Sequence, residues 1–337
     1  MRTVPLGPGA EFDRIRAFLE PSDGTADSRT ELVGPGDDAA VVDGFVVSVD
    51  LTVEGIHFEK SWLSARDIGY RAVAAAGSDL AAMAATPVGI LVALGLPRGA
   101  DDEFIAQLRA GFQEACRMLD APLLGGDLSA SPGLLFLDVT VLGRSDRPVL
   151  RTGAVPGDEL WVTGTLGGSA AAVAEHQAGR EPSEPLQRAY AHPLPRTREA
   201  LWLQERGLLR ALIDLSDGLA GDTAHLAAAS GVAVVLDEAR VPVNPALRGP
   251  GGSAPAAART LALHGGEDYE LCFVTSPDTV REQTVTAFES RFSVPLSRIG
   301  SIEAGSGVHL RRIEGGEAIP LDRGGFDHFG KHGSGRP

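Results

Sequence analysis

Cysteine is nearly absent from this chain: Cys116 and Cys272, far apart and each in an apolar context, are the two among 337 residues. They form neither a disulfide framework nor zinc-ligand spacing, so buried free thiols in a reducing compartment are expected. Aromatic residues are sparse as well, with 12 Phe, 3 Trp and 3 Tyr against 42 Gly. The cores must then be filled by Ala, Val and Leu, and many tight turns are expected. No apolar run approaches the roughly 20 residues that a membrane-spanning helix needs; the longest lies around Val88–Leu96. The opening residues show no charged-then-apolar leader pattern, and a cytoplasmic location is expected. Positive charge is in deficit, 30 Lys and Arg against 45 Asp and Glu, for a net charge of −15. Such a chain repels nucleic acid and anionic lipid, so neither is an expected partner. It can still hold phosphate esters if divalent cations stand between the two sets of negative charge. Two signatures of phosphate chemistry are also missing. There is no Gly-x-x-x-x-Gly-Lys-Ser/Thr loop and no protein-kinase catalytic-loop or Asp-Phe-Gly motif.

What is present reads as two mixed α+β domains. The length alone favours two cores over one. In the first half, helices are expected over Glu11–Leu19, from a Ser64/Asp67 capping box up to Pro87, and over Asp101–Leu119. Strands are expected at Ala39–Val42 and Phe45–Val49, as a hairpin about Asp43-Gly44, and at Val88–Leu96 and Leu134–Gly143. A Gly- and Pro-rich break at Gly143–Asp158 suggests the boundary, giving domains 1–147 and 148–329. The second half alternates again. Strands are expected near Leu160–Thr163, Ile213–Leu215, Val232–Leu236 and Tyr269–Val274. Helices are expected at Ser169–Gln177, Arg196–Arg206, Leu219–Ser230 and Asp278–Phe292. The interrupted order favours α+β domains over a doubly wound sheet. Pro21–Arg29 reads as polar and mobile, and residues 330–337 as a disordered tail.

The chemistry-bearing feature is the placing of the aspartates. Asp37 and Asp38 follow a Gly-Pro-Gly turn, Asp50 closes an apolar run, and Asp127 follows Gly125-Gly126. Asp214 and Asp217 lie in Ile213-Asp214-Leu215-Ser216-Asp217-Gly218-Leu219, with Asp222 one turn on. Asp79 sits within an Ala-rich helix. Turns and segment ends are where rigid elements deliver side chains to a cleft. Any one of these aspartates also reads as a helix cap or turn opener, Asp217 above all. Together they suit Mg²⁺, a hard cation that takes sparse carboxylates and bridges to phosphate oxygens. Gly164–Ser169, between a strand and a helix, reads either as a phosphate cradle or as a turn with Ser169 as N-cap; local pattern favours the turn.

At these same residues the chain resembles the thiamine-monophosphate kinase family, within the aminoimidazole-ribonucleotide-synthetase-related superfamily. The series runs Gly34–Ala40, Asp50–Phe58, Ser78–Met83, Gly125–Asp127, Arg151–Asp158, Ile213–Leu219 and Gly265–Leu271. Asp50-x-x-Val53-Glu54-Gly55-x-His57-Phe58 and Gly265-Gly266-Glu267-Asp268-Tyr269-Glu270-Leu271 are its most specific parts. The resemblance implies an N-terminal domain that dimerises into a β-barrel, a C-terminal α+β domain, and a homodimer with ATP and several Mg²⁺ near the dimer interface. It implies Asp37, Ser48, Asp50, Asp79, Asp127, Asp214 and Asp217 as metal ligands. Gly126, Asp127, Arg151 and Ser216 would contact ATP. His57, Glu267 and Phe326 would line the thiamine monophosphate site. The implied reaction is ATP-dependent phosphorylation of thiamine monophosphate, which rests on positioning and charge neutralisation and assigns no general base. The chain departs from the family pattern at Val49, where Thr is usual before the aspartate, at Ala76-Gly77 and at Ala84. Two rival readings stand beside it: a sibling enzyme of the superfamily with another substrate, and a non-catalytic ATP-binding scaffold.

Overall fold

The structure, a computed structural model, describes residues 4, 5, 7, 9–19, 33–313 and 315–321. The expectations for Pro21–Arg29, Phe326 and the 330–337 tail lie outside the described residues.

A helix α1 (Ala10–Leu19) precedes the first sheet. That sheet comprises β1 (Ala40–Val42), β2 (Phe45–Val53), β3 (Thr86–Pro97), β4 (Leu123–Ser131) and β5 (Phe136–Arg144), in the order β1-β2-β5-β3-β4. Asp43 and Gly44 both take positive φ, 50° and 77°, the conformation that a two-residue hairpin turn with the right twist requires. Helices α2 (Ala65–Ala82) and α3 (Asp102–Leu119) cover one face. The capping box at Ser64 and Asp67 starts α2, and Asp101 caps α3 through the Phe104 N–H. The two helices meet at glycines. A Cβ on Gly69 would lie 2.3 Å from the Leu108 carbonyl oxygen, and one on Gly111 2.0 Å from that of Arg66. The inner face of the sheet packs Val46, Ile90, Val92, Val139 and Val141 beneath these helices.

Residues 145–158 lead to the second sheet. It contains β6 (Glu159–Thr163), β7 (Ala211–Asp214), β8 (Ala233–Asp237), β9 (Leu271–Thr275), β10 (Leu296–Glu303), β11 (Gly307–Arg311) and β12 (Ala318–Pro320), ordered β12-β11-β8-β10-β6-β9-β7. Its helices are α4 (Gly168–Gln177), α5 (Glu184–Ala191), α6 (Thr197–Glu205), α7 (Leu219–Ser230), α8 (Ala256–His264) and α9 (Glu282–Phe292). Both faces of its central strands are buried. Leu160 and Val162 point into one core with Ile213 and Cys272, while Trp161 points into another with Leu212, Phe273 and Phe288. Burial on both sides explains why Leu160–Thr163 and Leu271–Val274 read as continuous apolar runs without alternation. Cys116 and Cys272 are buried and free.

The mixed α+β architecture in two sheets is as expected, and differs from the expectation in detail. β2 runs on to Val53, past Asp50. The Gly125-Gly126-Asp127 segment, expected as a turn, is the middle of β4, a strand that pairs in parallel with β3. Helices α5 and α8 and strands β10 to β12 were not expected. No closed barrel occurs among the described residues of the single chain, and the outer face of the first sheet is open. Val49 and Leu51 on that face are 59% and 50% exposed, and Leu128 on edge strand β4 is 63% exposed.

Candidate functional site

The cleft between the sheets is assembled from four separate pieces of chain. The loop before β1 supplies Asp37 and Asp38, β2 supplies Ser48 and Asp50, α2 supplies Ser78 and Asp79, and β7 ends in Asp214. Carboxylate oxygens of Asp38, Asp79 and Asp214 all lie within 4.8 Å of one another. Serines hold two of them: Ser48 Oγ donates to Asp79 Oδ2 at 2.5 Å and Ser78 Oγ to Asp214 Oδ2 at 2.6 Å. Arg151 grips the third from both ends, Nε to Asp38 Oδ2 at 3.1 Å and Nη2 to Oδ1 at 2.6 Å. Its own backbone N–H donates to Asp37 Oδ2 at 3.1 Å. In the sequence Asp38 is only part of an acidic turn; the structure makes it a central member of the cluster.

Burial sets the electrostatics. The Asp214 carboxyl is pushed up to about 7 by burial and then by Asp38, and Asp37 likewise to about 7 by burial and then by Asp38. Asp79 is held well above the ordinary carboxylate range by burial, then by Asp214 and Asp50. These groups repel one another in a low dielectric, and only protons or a cation can relieve that. Burial works against the Arg151 charge, but Asp38 more than restores it, so the guanidinium stays cationic.

Asp50, Asp79, Asp214, Ser216 and Asp217 line a cavity of about 200 Å³ together with His57, Glu267 and Tyr269. Asp217 does not cap α7. Gly218 is the N-cap residue and no side chain caps the helix; Asp222 Oδ2, in the first turn, reaches back to accept from the Asp217 and Gly218 N–H groups at 3.1 and 3.0 Å. The Gly265–Leu271 segment is zipped onto Leu215-Ser216. Glu267 N–H donates to Ser216 O, Tyr269 N–H to Leu215 O and Leu215 N–H to Glu270 O, all at 2.8 Å. A Cβ on Gly266 would lie 2.5 Å from Ser216 O, so only glycine permits this approach. Glu267 and Tyr269 take φ of 68° and 51°, the left-handed region that non-glycine residues adopt uncommonly. Glu267 pairs with Arg71, which is deeply buried on α2. His57 turns Nδ1 toward the Val53 N–H, which it accepts at 3.0 Å.

Not every expected residue gathers here. Asp127, Ala93, Asp138 and Leu51 are consecutive cross-strand partners, so Asp127 lies on the outer face of the first sheet with Leu51. Asp50 stands in the next row, with Val139, Val92 and Gly126, and its side chain takes the opposite face. Val49 shares the outer face with Asp127, while its neighbours Ser48 and Asp50 point inward. Asp127 is not among the residues lining the cavity, and on β4 it is separated from β2 by β5 and β3. The Gly164–Ser169 segment is neither a phosphate cradle nor a turn capped by Ser169. Gly167 is the N-cap residue of α4, and the Asp268 carboxylate already accepts its N–H at 2.8 Å. Ser169 is buried inside the helix. The Asp268 side chain thus occupies the place at the α4 N-terminus that a phosphate would need. Asp38, Ser78, Arg71 and Asp268 were missed as site-forming residues; Asp38, Ser78 and Asp268 stand inside the quoted motifs, which was the available signal.

The donor set fits Mg²⁺: oxygen ligands only, clustered, sparse, and carrying carboxylates that burial alone would leave protonated. Two family models match the chain, AIR synthase related protein, N-terminal domain, over residues 36–145 and AIR synthase related protein, C-terminal domain, over 155–312. The thiamine-monophosphate kinase of Escherichia coli strain K12 is 35% identical over 329 residues, covering 94% of this chain and 95% of that one. A crystal structure of thiamine-monophosphate kinase from Stenotrophomonas maltophilia K279a is 36% identical, covers 90% of this chain and 96% of that one, and superposes with a TM-score of 0.73. A structure of AaThiL complexed with AMPPCP and TMP, 27% identical, covers 95% and 97% of the two chains with a TM-score of 0.78. This chain belongs to the thiamine-monophosphate kinase family, within the AIR-synthase-related proteins.

Proposed function

We propose that this chain transfers the γ-phosphoryl group of ATP to the phosphate of thiamine monophosphate, yielding thiamine diphosphate. The observation that carries this reading is the near full-length match to thiamine-monophosphate kinases, joined to a cleft lined by Asp79 and Asp214 of the acidic cluster together with His57 and Glu267. A phosphate oxygen of the acceptor is already an anion near neutral pH, so the attack needs alignment more than proton removal. The cleft agrees, because the imidazole lining it commits Nδ1 to a backbone N–H. Within one chain, Asp37, Asp38, Ser48, Asp50, Asp79, Asp214 and Asp217 would hold Mg²⁺. When bound, Mg²⁺ offsets the phosphate charge and polarises the γ-phosphoryl group. Arg151, kept cationic and oriented by Asp38, and Ser216 would face the ATP phosphates. Glu267 and His57 would orient the acceptor.

Asp127 and Gly126 enter this reading through a second copy. The outer face of the first sheet, with Val49, Leu51 and Leu91 partly or largely exposed, is an apolar surface of the kind that a partner covers. A homodimer that buries it sheet against sheet would close a β-barrel and bring Asp127 of one copy toward the cleft of the other. Residues 1–147 and 148–329 would form the two domains, and the cytoplasm would supply ATP and Mg²⁺. Among the described residues no helix is long and apolar enough to cross a membrane.

The test is direct: purified protein, MgATP and thiamine monophosphate, with thiamine diphosphate read by its oxidised fluorescence. Product is expected, and free thiamine should be a poor acceptor. Turnover with thiamine but none with its monophosphate would overturn the assignment.

A further inference from the structure

Arg71 sits on α2 with its side chain 4% exposed, yet it pairs with Glu267 rather than with any member of the acidic cluster. Its Nη2 donates to Glu267 Oε1, its Nη1 to the Tyr190 carbonyl at the end of α5, and its guanidinium lies 4.5 Å from the Tyr190 ring centroid and 5.9 Å from that of Tyr269. Glu267, with Ile56 and His57, lines two cavities. One is the main cleft; the other is a small recess that also borders Trp62 and Tyr190. Both residues that flank the buried cation on this side, Glu267 and Tyr269, have left-handed backbone. Backbone bonds to Ser216 and Leu215 pin this segment of chain but do not fix where the Glu267 carboxylate points. Arg71 does. Asp79 lies eight residues further along the same helix, about 12 Å by helical rise. One rigid element therefore holds both the carboxylate at the acceptor end and a carboxylate of the acidic cluster.

We propose that Arg71 is a positioning residue for the phosphate acceptor: through α2 it fixes the Glu267 carboxylate and the Tyr190 carbonyl, and so sets the acceptor wall at a constant distance from the acidic cluster. It rests on the reading that Glu267 meets the acceptor. A bland buried ion pair predicts something different, a loss of stability and of active enzyme that does not distinguish the two substrates. A positioning residue predicts a selective effect on one substrate that vanishes once Glu267 can no longer respond.

The experiment compares Arg71→Met, Arg71→Lys, Glu267→Gln and the Arg71→Met/Glu267→Gln double variant, with thermal melts to confirm folding. Arg71→Met should raise KM for thiamine monophosphate about tenfold or more while KM for MgATP stays within about twofold. Arg71→Lys, which keeps the cation, should recover most of that loss. In the Glu267→Gln background, Arg71→Met should add little. Equal rises in both KM values, or full additivity in the double variant, would overturn the proposal. A crystal structure of Arg71→Met supplies a readout independent of the substrate assignment. The Glu267 side chain is expected to leave its place; if it stays, Arg71 does not position it, whatever the enzyme phosphorylates. Failure of the wild type to use thiamine monophosphate would sink the function and leave the crystallographic comparison standing.

Discussion

At the scale of single residues, the cleft concentrates charge that the fold must tolerate for the sake of its ligands. Asp50→Asn removes one inward-facing carboxylate, a proposed Mg²⁺ ligand, without changing volume. Turnover should fall by about 10²-fold or more, because a displaced metal no longer aligns the phosphates. Stability should hold or rise as repulsion with Asp79 is relieved. Near-normal kinetics at saturating Mg²⁺ would remove Asp50 from the mechanism. Asp268 makes a separate prediction, away from the acidic cluster. Burial, opposed by the α4 N–H groups and reinforced by Glu270, pushes its carboxyl up to about 8. The unfolded group titrates near 4, at about its ordinary value. Because the folded state holds the proton more tightly, the stability Asp268 contributes is complete below about pH 4 and is lost as pH rises through about 8. Asp268→Asn, whose amide oxygen still accepts from Gly167, should therefore gain on the wild type as pH goes from 5.5 to 9. Thermal melts across that range check it; a gap in melting temperature that never changes would show that Asp268 does not titrate there.

At the scale of elements, α2 carries most of the design. It is started by a capping box, buried along nearly its whole length, and bears Arg71, Ser78 and Asp79 on the sides that reach the cleft. Its close approach to α3 depends on Gly69 and Gly111. Gly69→Ala places a methyl against a backbone oxygen, which cannot move aside like a flexible side chain, so the helices must separate. A loss of about 1–3 kcal/mol is expected, the usual cost of overpacking, despite the better helix propensity of alanine. Urea denaturation measures it, and an unchanged midpoint would mean that the helices part without strain. The capping box, the Asp43-Gly44 hairpin and the period of α3 were legible because each is a local signal. β4 was not. Leu123-Leu124-Gly125-Gly126-Asp127 reads locally as a turn, and only parallel pairing with β3 makes it a strand. α5 and α8 were missed because they are short, eight and nine residues, so even the amphipathic face of α5 offers only about two turns of pattern to read.

At the scale of the whole molecule, the open outer face of the first sheet and the outward Asp127 make one joint prediction. If a second copy completes each cleft, Asp50→Asn and Asp127→Asn dimers are both inactive, yet mixing them under subunit exchange rebuilds one intact cleft per heterodimer. Activity should recover to about a quarter of wild type, since half the dimers are mixed and half of their sites are whole. No recovery, with exchange confirmed by mass, would place Asp127 in the cleft of its own chain or outside it altogether. The sequence by itself determined the chemistry's ingredients. Composition made nucleic acid an unexpected partner and called for cations wherever phosphates are held, and the ordered motifs carried the family, because residue type and order survive without coordinates. Only the tertiary structure decided which carboxylates meet. Asp38, Asp79 and Asp214 come from a loop, a helix and a strand end spread over more than half the chain, and their convergence exists only once two sheets are packed together. Alternation along β2 then sorts Asp50 inward and Val49 outward, and the register across four strands sends Asp127 to the other face. A one-residue difference in strand position reverses the side on which a side chain stands, and no spacing in the sequence records which face the fold will cover.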